Sequence, residues 1–135
     1  TIHANSPRDA LSRLENLIGM SGITLPVSAM RAQINSALHL VIQVARLRDG
    51  KRRIVQIDEV ISGNEGGVNT RTLFGFKPGP LDSHGMLTGY FYGTQVTPSF
   101  LSQAEYFGRA QELLDCIARA RPLEETPPAI ENKGP

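Results

Sequence analysis

The sequence holds a single cysteine, Cys116, so no disulfide can form within the chain. It has no run approaching about 18 consecutive apolar residues, which excludes a membrane-spanning helix. No signal-peptide pattern opens it. It also lacks an excess of either charge, with 14 Lys+Arg against 13 Asp+Glu and a net charge of +1. That balance argues against a polybasic nucleic-acid coat or an acidic tail. There is no initiating Met: the chain opens on Thr1-Ile2-His3 and runs straight into a helix signal, so it is expected to be a piece of a longer protein. What is present is 135 residues, 40% of them hydrophobic. Such a length fits one domain and can bury roughly two-thirds of its unfolded surface.

Ser6-Pro7-Arg8-Asp9 reads as a helix start: Ser6 as N-cap, Pro7 at the first helical position, and Asp9 answering Ser6 as in a capping box. Ala10, Leu11, Leu14, Leu17 and Ile18 follow at helical spacing, until Gly19 or Gly22 ends the helix. Pro26 or Ser28 opens a second helix with Met30, Ile34, Ala37 and Leu38 as its apolar stripe. The period then changes to that of strands. His39 to Leu47 and Lys51 to Ile61 are predicted strands joined by Asp49-Gly50, a two-residue hairpin signal. Ser62 to Gly67 is predicted as a glycine-rich turn, Val68 to Phe76 as a third strand, Lys77 to Gly85 as a loop, and Met86 to Tyr92 as a fourth strand. Thr97-Pro98 is expected to cap a helix lined by Phe100, Leu101, Ala104 and Phe107, with Gly108 breaking it before a second helix over Leu113, Leu114, Ile117 and Ala118. From Pro122 onward the composition predicts a disordered tail.

Signs of chemistry are sparse. A phosphate-binding P-loop needs two glycines four residues apart followed by Lys and Ser or Thr, and no such run exists. Gly63-Asn64-Glu65-Gly66-Gly67 has no lysine and carries an acid, so it reads as a turn. Ile54 to Glu59 resembles a strand delivering two carboxylates, Asp58 and Glu59, to Mg²⁺ and water. Gln56 interrupts its apolar run and a tight hairpin precedes it, so a strand ending in solvated acids is the favoured expectation. Arg46, Arg48, Lys51, Arg52 and Arg53 crowd the hairpin with Asp49 as the single acid among them. Such a tip suits phosphate, nucleic acid or an acidic partner surface, or is a solvated tip that discourages strand aggregation. No aromatic interleaves these bases, so no nucleic-acid partner is expected. His3 stands before the first capped helix, where a histidine can face a phosphate or be an ordinary loop residue. His39 and His84 have no metal-ligand spacing, and no metal site is expected. Cys116 beside the last apolar stripe is expected to be a small buried hydrophobe.

Thr1-Ile2-His3-Ala4-Asn5-Ser6-Pro7-Arg8-Asp9-Ala10-Leu11-Ser12-Arg13-Leu14-Glu15 resembles the His box and following helix of the secretion ATPase superfamily. The resemblance is nearest to the CpaF/TadA-like ATPases of Flp (Tad-type) pilus assembly, relatives of the type II and type IV secretion and conjugation ATPases. It continues through Leu25-Pro26, Arg31 to Leu38, Asp49 to Arg53 and Ile57-Asp58-Glu59-Val60. It is specific over residues 1 to about 61 and weaker to about residue 98. The family usually reads Gly-x-Glu-Gly-Asp after the hairpin, where this chain has Ser62-Gly63-Asn64-Glu65-Gly66-Gly67, and the helical end here is longer.

The resemblance implies an α/β fold: the C-terminal portion of a RecA-like P-loop ATPase domain over residues 1–96, with a β-hairpin and a helical extension over 97–121, then the tail 122–135. It implies that the Walker A and Walker B motifs lie upstream of Thr1, so that Asp58-Glu59 is not the Walker B pair. His3 corresponds to the His-box histidine, facing the nucleotide phosphates or a neighbouring subunit, and is the catalytic candidate. Arg8, Arg13, Arg46, Arg48, Lys51, Arg52 and Arg53 are the candidate phosphate or partner contacts. The parent would be a homo-hexamer using ATP and Mg²⁺ at the cytoplasmic face of the inner membrane to drive pilus or secretion machinery, while this chain alone would bind neither cofactor and hydrolyse nothing. The rival expectation is a self-contained interaction module docking through the basic hairpin and the C-terminal helices.

Overall fold

Ser6 caps the first helix as its hydroxyl predicts. In the computed structural model, which describes residues 1–123, α1 spans Pro7–Met20 and the Ser6 Oγ accepts the Asp9 amide at 3.1 Å. Asp9 does not complete the capping box. Its carboxylate accepts the amide of Asn5 at 3.0 Å, one residue further out. Of the two candidate stops, Gly22 is the one in the left-handed region, with φ +79°, while Gly19 lies inside the helix. α2 spans Val27–Ala37.

Four strands follow, β1 Leu40–Arg46, β2 Arg52–Ser62, β3 Val68–Leu81 and β4 Leu87–Gly93. They form one antiparallel sheet in the order β1-β2-β3-β4, each joined to the next by a short connection. α3, Leu101–Tyr106, and α4, Ala110–Arg119, close the described fold. The fold is therefore mixed α/β, with a meander sheet rather than parallel β-α-β units.

The helices α1 and α2 bury Leu11, Met30 and Ile34 against Val60 of β2, with Val41 of β1 and Val68 of β3 at the margin. This places Val41, Asp58 and Val60 on the helix-covered face, because Val41 pairs with Asp58 and alternate residues share a face. Leu40, Ile42 and Val44 of β1 then lie on the opposite face, where they are exposed.

Four expectations are corrected. The Asp49-Gly50 turn is a three-residue loop over 48–50: the Leu47 amide donates to the Lys51 carbonyl at 2.9 Å and Gly50 takes φ +76°. The predicted loop at Lys77 is a continuation of β3 to Leu81. Residues 76–81 pair with β4 and have no β2 partner, so Pro78 and Pro80 face an edge where a missing N–H costs nothing. The last helical region begins at Leu101, not after Thr97-Pro98. Finally, Cys116 is exposed, because Ile117 is the α4 residue that turns inward. Gly108, at φ +67°, does separate α3 from α4, and Tyr106 and Phe107 form an exposed edge-to-face pair beside it.

The predicted tail starts too early. Pro122 forms a bridge with Gly93 of β4, and the remainder of that prediction, from residue 124, lies outside the described residues. Among the described residues no helix is long and apolar enough to cross a membrane.

Candidate functional site

His3 lies just before α1, exposed, on the wall of a groove of about 660 Å³ between the N-terminal segment, α1 and β1. The other walls are mainly apolar: Leu11, Leu14 and Leu17 from α1 and residues 40–44 of β1. Arg13 holds the histidine segment in place. Its guanidinium donates to the His3 carbonyl at 2.7 Å, and the Gln43 side chain donates to the Ala4 carbonyl at 2.9 Å. Arg13 is thus a positioning residue for His3 rather than a free cation. Arg8, the second residue of α1, is exposed and has no side-chain partner among the described residues.

The basic hairpin is largely spoken for. Arg46 donates to the Gly50 carbonyl at 2.9 Å and closes its own turn. Arg48 reaches the Gly79 carbonyl of β3 at 2.8 Å. Arg53 forms a two-pronged pair with Asp49 at 2.8 and 2.7 Å and lies 6.0 Å from the centre of the Phe76 ring. Of the five cations of the hairpin, only Lys51 and Arg52 have no side-chain partner among the described residues. The single acid of the tip is its anchor. The Asp49 side chain is fully enclosed, and besides Arg53 it accepts the amides of Leu87 at 3.1 Å and Lys51 at 3.2 Å, tying the tip to the start of β4. The Arg53 hydrogen bonds, with help from those amides and against the pull of burial, hold the Asp49 carboxyl well below the usual carboxylate range. The same pairing raises Arg53 above its ordinary value.

Asp58 and Glu59 are not solvated acids ending a strand. They are 2% and 1% exposed, the most buried charged residues described. As neighbours in one strand they point to opposite faces of the sheet, so they cannot share a metal ion or a water. Asp58 accepts from the Gln56 side chain at 2.8 Å, and that amide also reaches the Thr72 hydroxyl at 3.1 Å.

Glu59 is saturated. One oxygen takes the Arg71 guanidinium at 2.6 and 3.2 Å, and the other takes the amide and the hydroxyl of Ser99. Arg71 also donates to the Thr97 carbonyl at 3.4 Å. Burial pushes the Glu59 carboxyl up, but the hydrogen bonds from Ser99 and Arg71 outweigh it and hold the group below its ordinary value. Thr97-Pro98 starts no helix: the Thr97 carbonyl accepts from Arg71, the Leu101 amide turns to Pro98 instead, and the helix forms only beyond.

A smaller cavity of about 400 Å³ beside this cluster is lined by Asn35, His39, Ser62, Ser99 and Gln103. The Asn35 side-chain oxygen, Oδ1, is buried without a hydrogen-bond partner. His39 and Gln103 meet at 3.2 Å between their side-chain nitrogens. Among the described residues no group of three or more His, Cys, Asp or Glu side chains could hold a metal ion.

Asp49, Glu59, Arg71 and Ser99 carry the strongest polar geometry, and the signal for them was thin. A carboxylate in the middle of a β-branched strand was the one available hint for Glu59. The structure brings His3 and Arg13 together, and among the described residues no hydrogen bond or ion pair joins either to the hairpin cations.

No family model matches the chain. Two proteins from two strains of Mycobacterium tuberculosis, each named "Putative conjugal transfer protein", are 35% identical to it over 74 residues. That stretch is 55% of this chain and 20% of each relative. The chain therefore matches about a fifth of the length of the curated relatives, and its similarity to proteins named for conjugal transfer is the extent of the likeness.

Proposed function

We propose that this chain is the C-terminal portion, from the His box onward, of a motor ATPase of the secretion, conjugation or pilus-assembly class. The observation that carries the proposal is the 35% identity over 74 residues to proteins named for conjugal transfer. It is of one kind with the CpaF/TadA-like pattern that opens on His3. The antiparallel meander would then flank a RecA-like sheet, and the 1–96 and 97–121 segments would be the end of that domain and its helical extension. The parent would assemble as a homo-hexamer on inner-membrane machinery.

The residues of this chain do not themselves fit Mg²⁺ and ATP. The groove beside His3 is walled mainly by apolar side chains, the Glu59 oxygens are saturated, and Asp58 faces away from Glu59. Nucleotide and metal would be held by parent residues outside these 135, with His3 presented from the rim of the groove and Arg13 holding it there. Pure 135-residue chain is expected to release no phosphate from ATP above background. In the parent, His3→Ala is expected to lower kcat more than nucleotide affinity. Turnover by the short chain, or equal kcat in the parent variant, would overturn the assignment.

The rival proposal, an interaction module docking through the basic hairpin, rests on Lys51 and Arg52, the two tip cations left unpaired. Arg46, Arg48 and Arg53 serve the tip itself.

A further inference from the structure

The two edges of the sheet are treated differently. The β4 edge is guarded at its end: the Gly93 amide donates to the Arg121 carbonyl at 2.8 Å, Pro122 bridges to Gly93, and the Arg121 guanidinium lies 4.1 Å from the Tyr90 ring centre. Gly93 is needed for that approach, since a Cβ there would sit 2.5 Å from the Ala120 side chain. Among the described residues no backbone group pairs with the outer side of β1; the N-terminal segment meets the strand through the Gln43 side chain, which donates to the Ala4 carbonyl.

On β1 the backbone groups of His39 and Leu47 turn inward, since the His39 carbonyl accepts from Val60 and the Leu47 amide donates to Lys51. Alternation along an antiparallel strand then points the N–H and C=O groups of Leu40, Ile42 and Val44 outward. The side chains of the same three residues are 41%, 55% and 52% exposed. Residues 40–45 contain no charge, proline or glycine, so no residue of the kinds that blunt an edge is present there. The bulge in this pair falls on β2, where Val55 is skipped between Gln56 and Ile54, leaving β1 regular. Beside the edge, the groove floored by Leu14 and Leu17 leaves room for an incoming strand.

We propose that β1 is a self-pairing edge: two copies of this chain join through antiparallel β1 strands, with Ile42 opposite Ile42 on the two-fold axis. The pattern is self-complementary. On the exposed face Leu40 of one copy faces Val44 of the other and Ile42 faces Ile42, on the helix-covered face Val41 faces Gln43, and the two Arg46 side chains fall at opposite ends of the seam. This pairing concerns the 135-residue chain itself and stands or falls independently of the ATPase assignment. An interface of one strand and its exposed side chains is small, below about 1,200 Å². The dimer is accordingly weak, with a dissociation constant of about 10–100 µM.

Sedimentation equilibrium of the 135-residue chain over about 10 to 500 µM tests it. The expected result is a reversible monomer–dimer equilibrium, with amide exchange at Leu40, Ile42 and Val44 slowing as concentration rises. Ile42→Lys places two cations face to face and is expected to weaken association at least tenfold, as is Ile42→Glu. An equimolar mixture of the two variants is expected to restore the dimer, which damage to the monomer fold could not do. Circular dichroism of each variant alone checks that the fold survives. A chain that stays monomeric throughout, a dimer unaffected by either variant, or a mixture that fails to recover would each overturn the proposal.

Discussion

The hairpin tip and the groove beside His3 make an instructive contrast. The tip is crowded with charge and resembles a binding site, yet its charges are mostly turned on one another and on nearby carbonyls. Asp49 takes four hydrogen bonds from Arg53, Leu87 and Lys51. The groove carries almost no charge, yet it is the unfinished surface, with exposed Leu17, Leu40, Ile42 and Val44 around it. A cluster of charge is thus no sign of an open site when the fold supplies a buried counter-charge. Uncovered apolar edge is the better pointer to something outside the chain.

The contrast can be broken most forcefully at Glu59, which does for β2, β3 and the Ser99 segment what Asp49 does for the tip. Glu59→Ala leaves Arg71 and the Ser99 amide without their acceptor inside the protein. The expected loss of stability is about 2–4 kcal/mol. Urea unfolding followed by circular dichroism checks it; a loss of a few tenths would mean that water replaces the carboxylate freely.

A middle-sized effect is expected from pH. Both Asp49 and Glu59 are held below their ordinary values in the folded state, so in acid the unfolded chain binds more protons. Their contribution is fully present above the ordinary carboxylate range, about pH 4, and is lost as pH falls through the lower folded values. Asp49→Asn is expected to lower stability at pH 7 and to flatten its decline in acid. A set of unfolding curves across pH, compared between wild type and variant, would show parallel profiles if Asp49 were not the group involved.

The smallest effect is expected where the tip is unpaired. Lys51→Ala with Arg52→Ala is expected to shift stability by no more than about 0.5 kcal/mol. The same double variant separates the interaction module from the ATPase portion, since only the former requires these two cations. Loss of binding to a partner, with the melting curve unchanged, would favour the module.

Much of the fold was legible in local sequence. Ser6-Pro7 set the first helix start, the change of period at His39 announced the sheet, and Gly108 separated the last two helices. The failures share one physical cause. Thr97-Pro98 has good cap chemistry, but the Ser99 segment is held by Glu59, which is 40 residues away in sequence. Pro78 and Pro80 signalled a loop, but β3 lacks a β2 neighbour at that height. Asp58 and Glu59 looked like solvated acids, but both are buried, Asp58 taken up by the Gln56 side chain and Glu59 by Arg71 and Ser99. The candidate site fared similarly. His3 is a candidate through the resemblance of the segment that opens the chain, whereas the contact of Arg13 with its carbonyl spans ten residues and no local pattern shows it.

By itself, then, the sequence determined the elements whose forces are local: caps, periods and positive-φ turns act within a few residues. Only the tertiary structure decided which charges are free, which acids are buried and which strand is left at an edge. Those depend on partners 12 to 40 residues distant, as with Arg71 and Ser99 on Glu59. No local pattern records them, because a carboxylate's environment is set by what folds against it rather than by its neighbours in the chain.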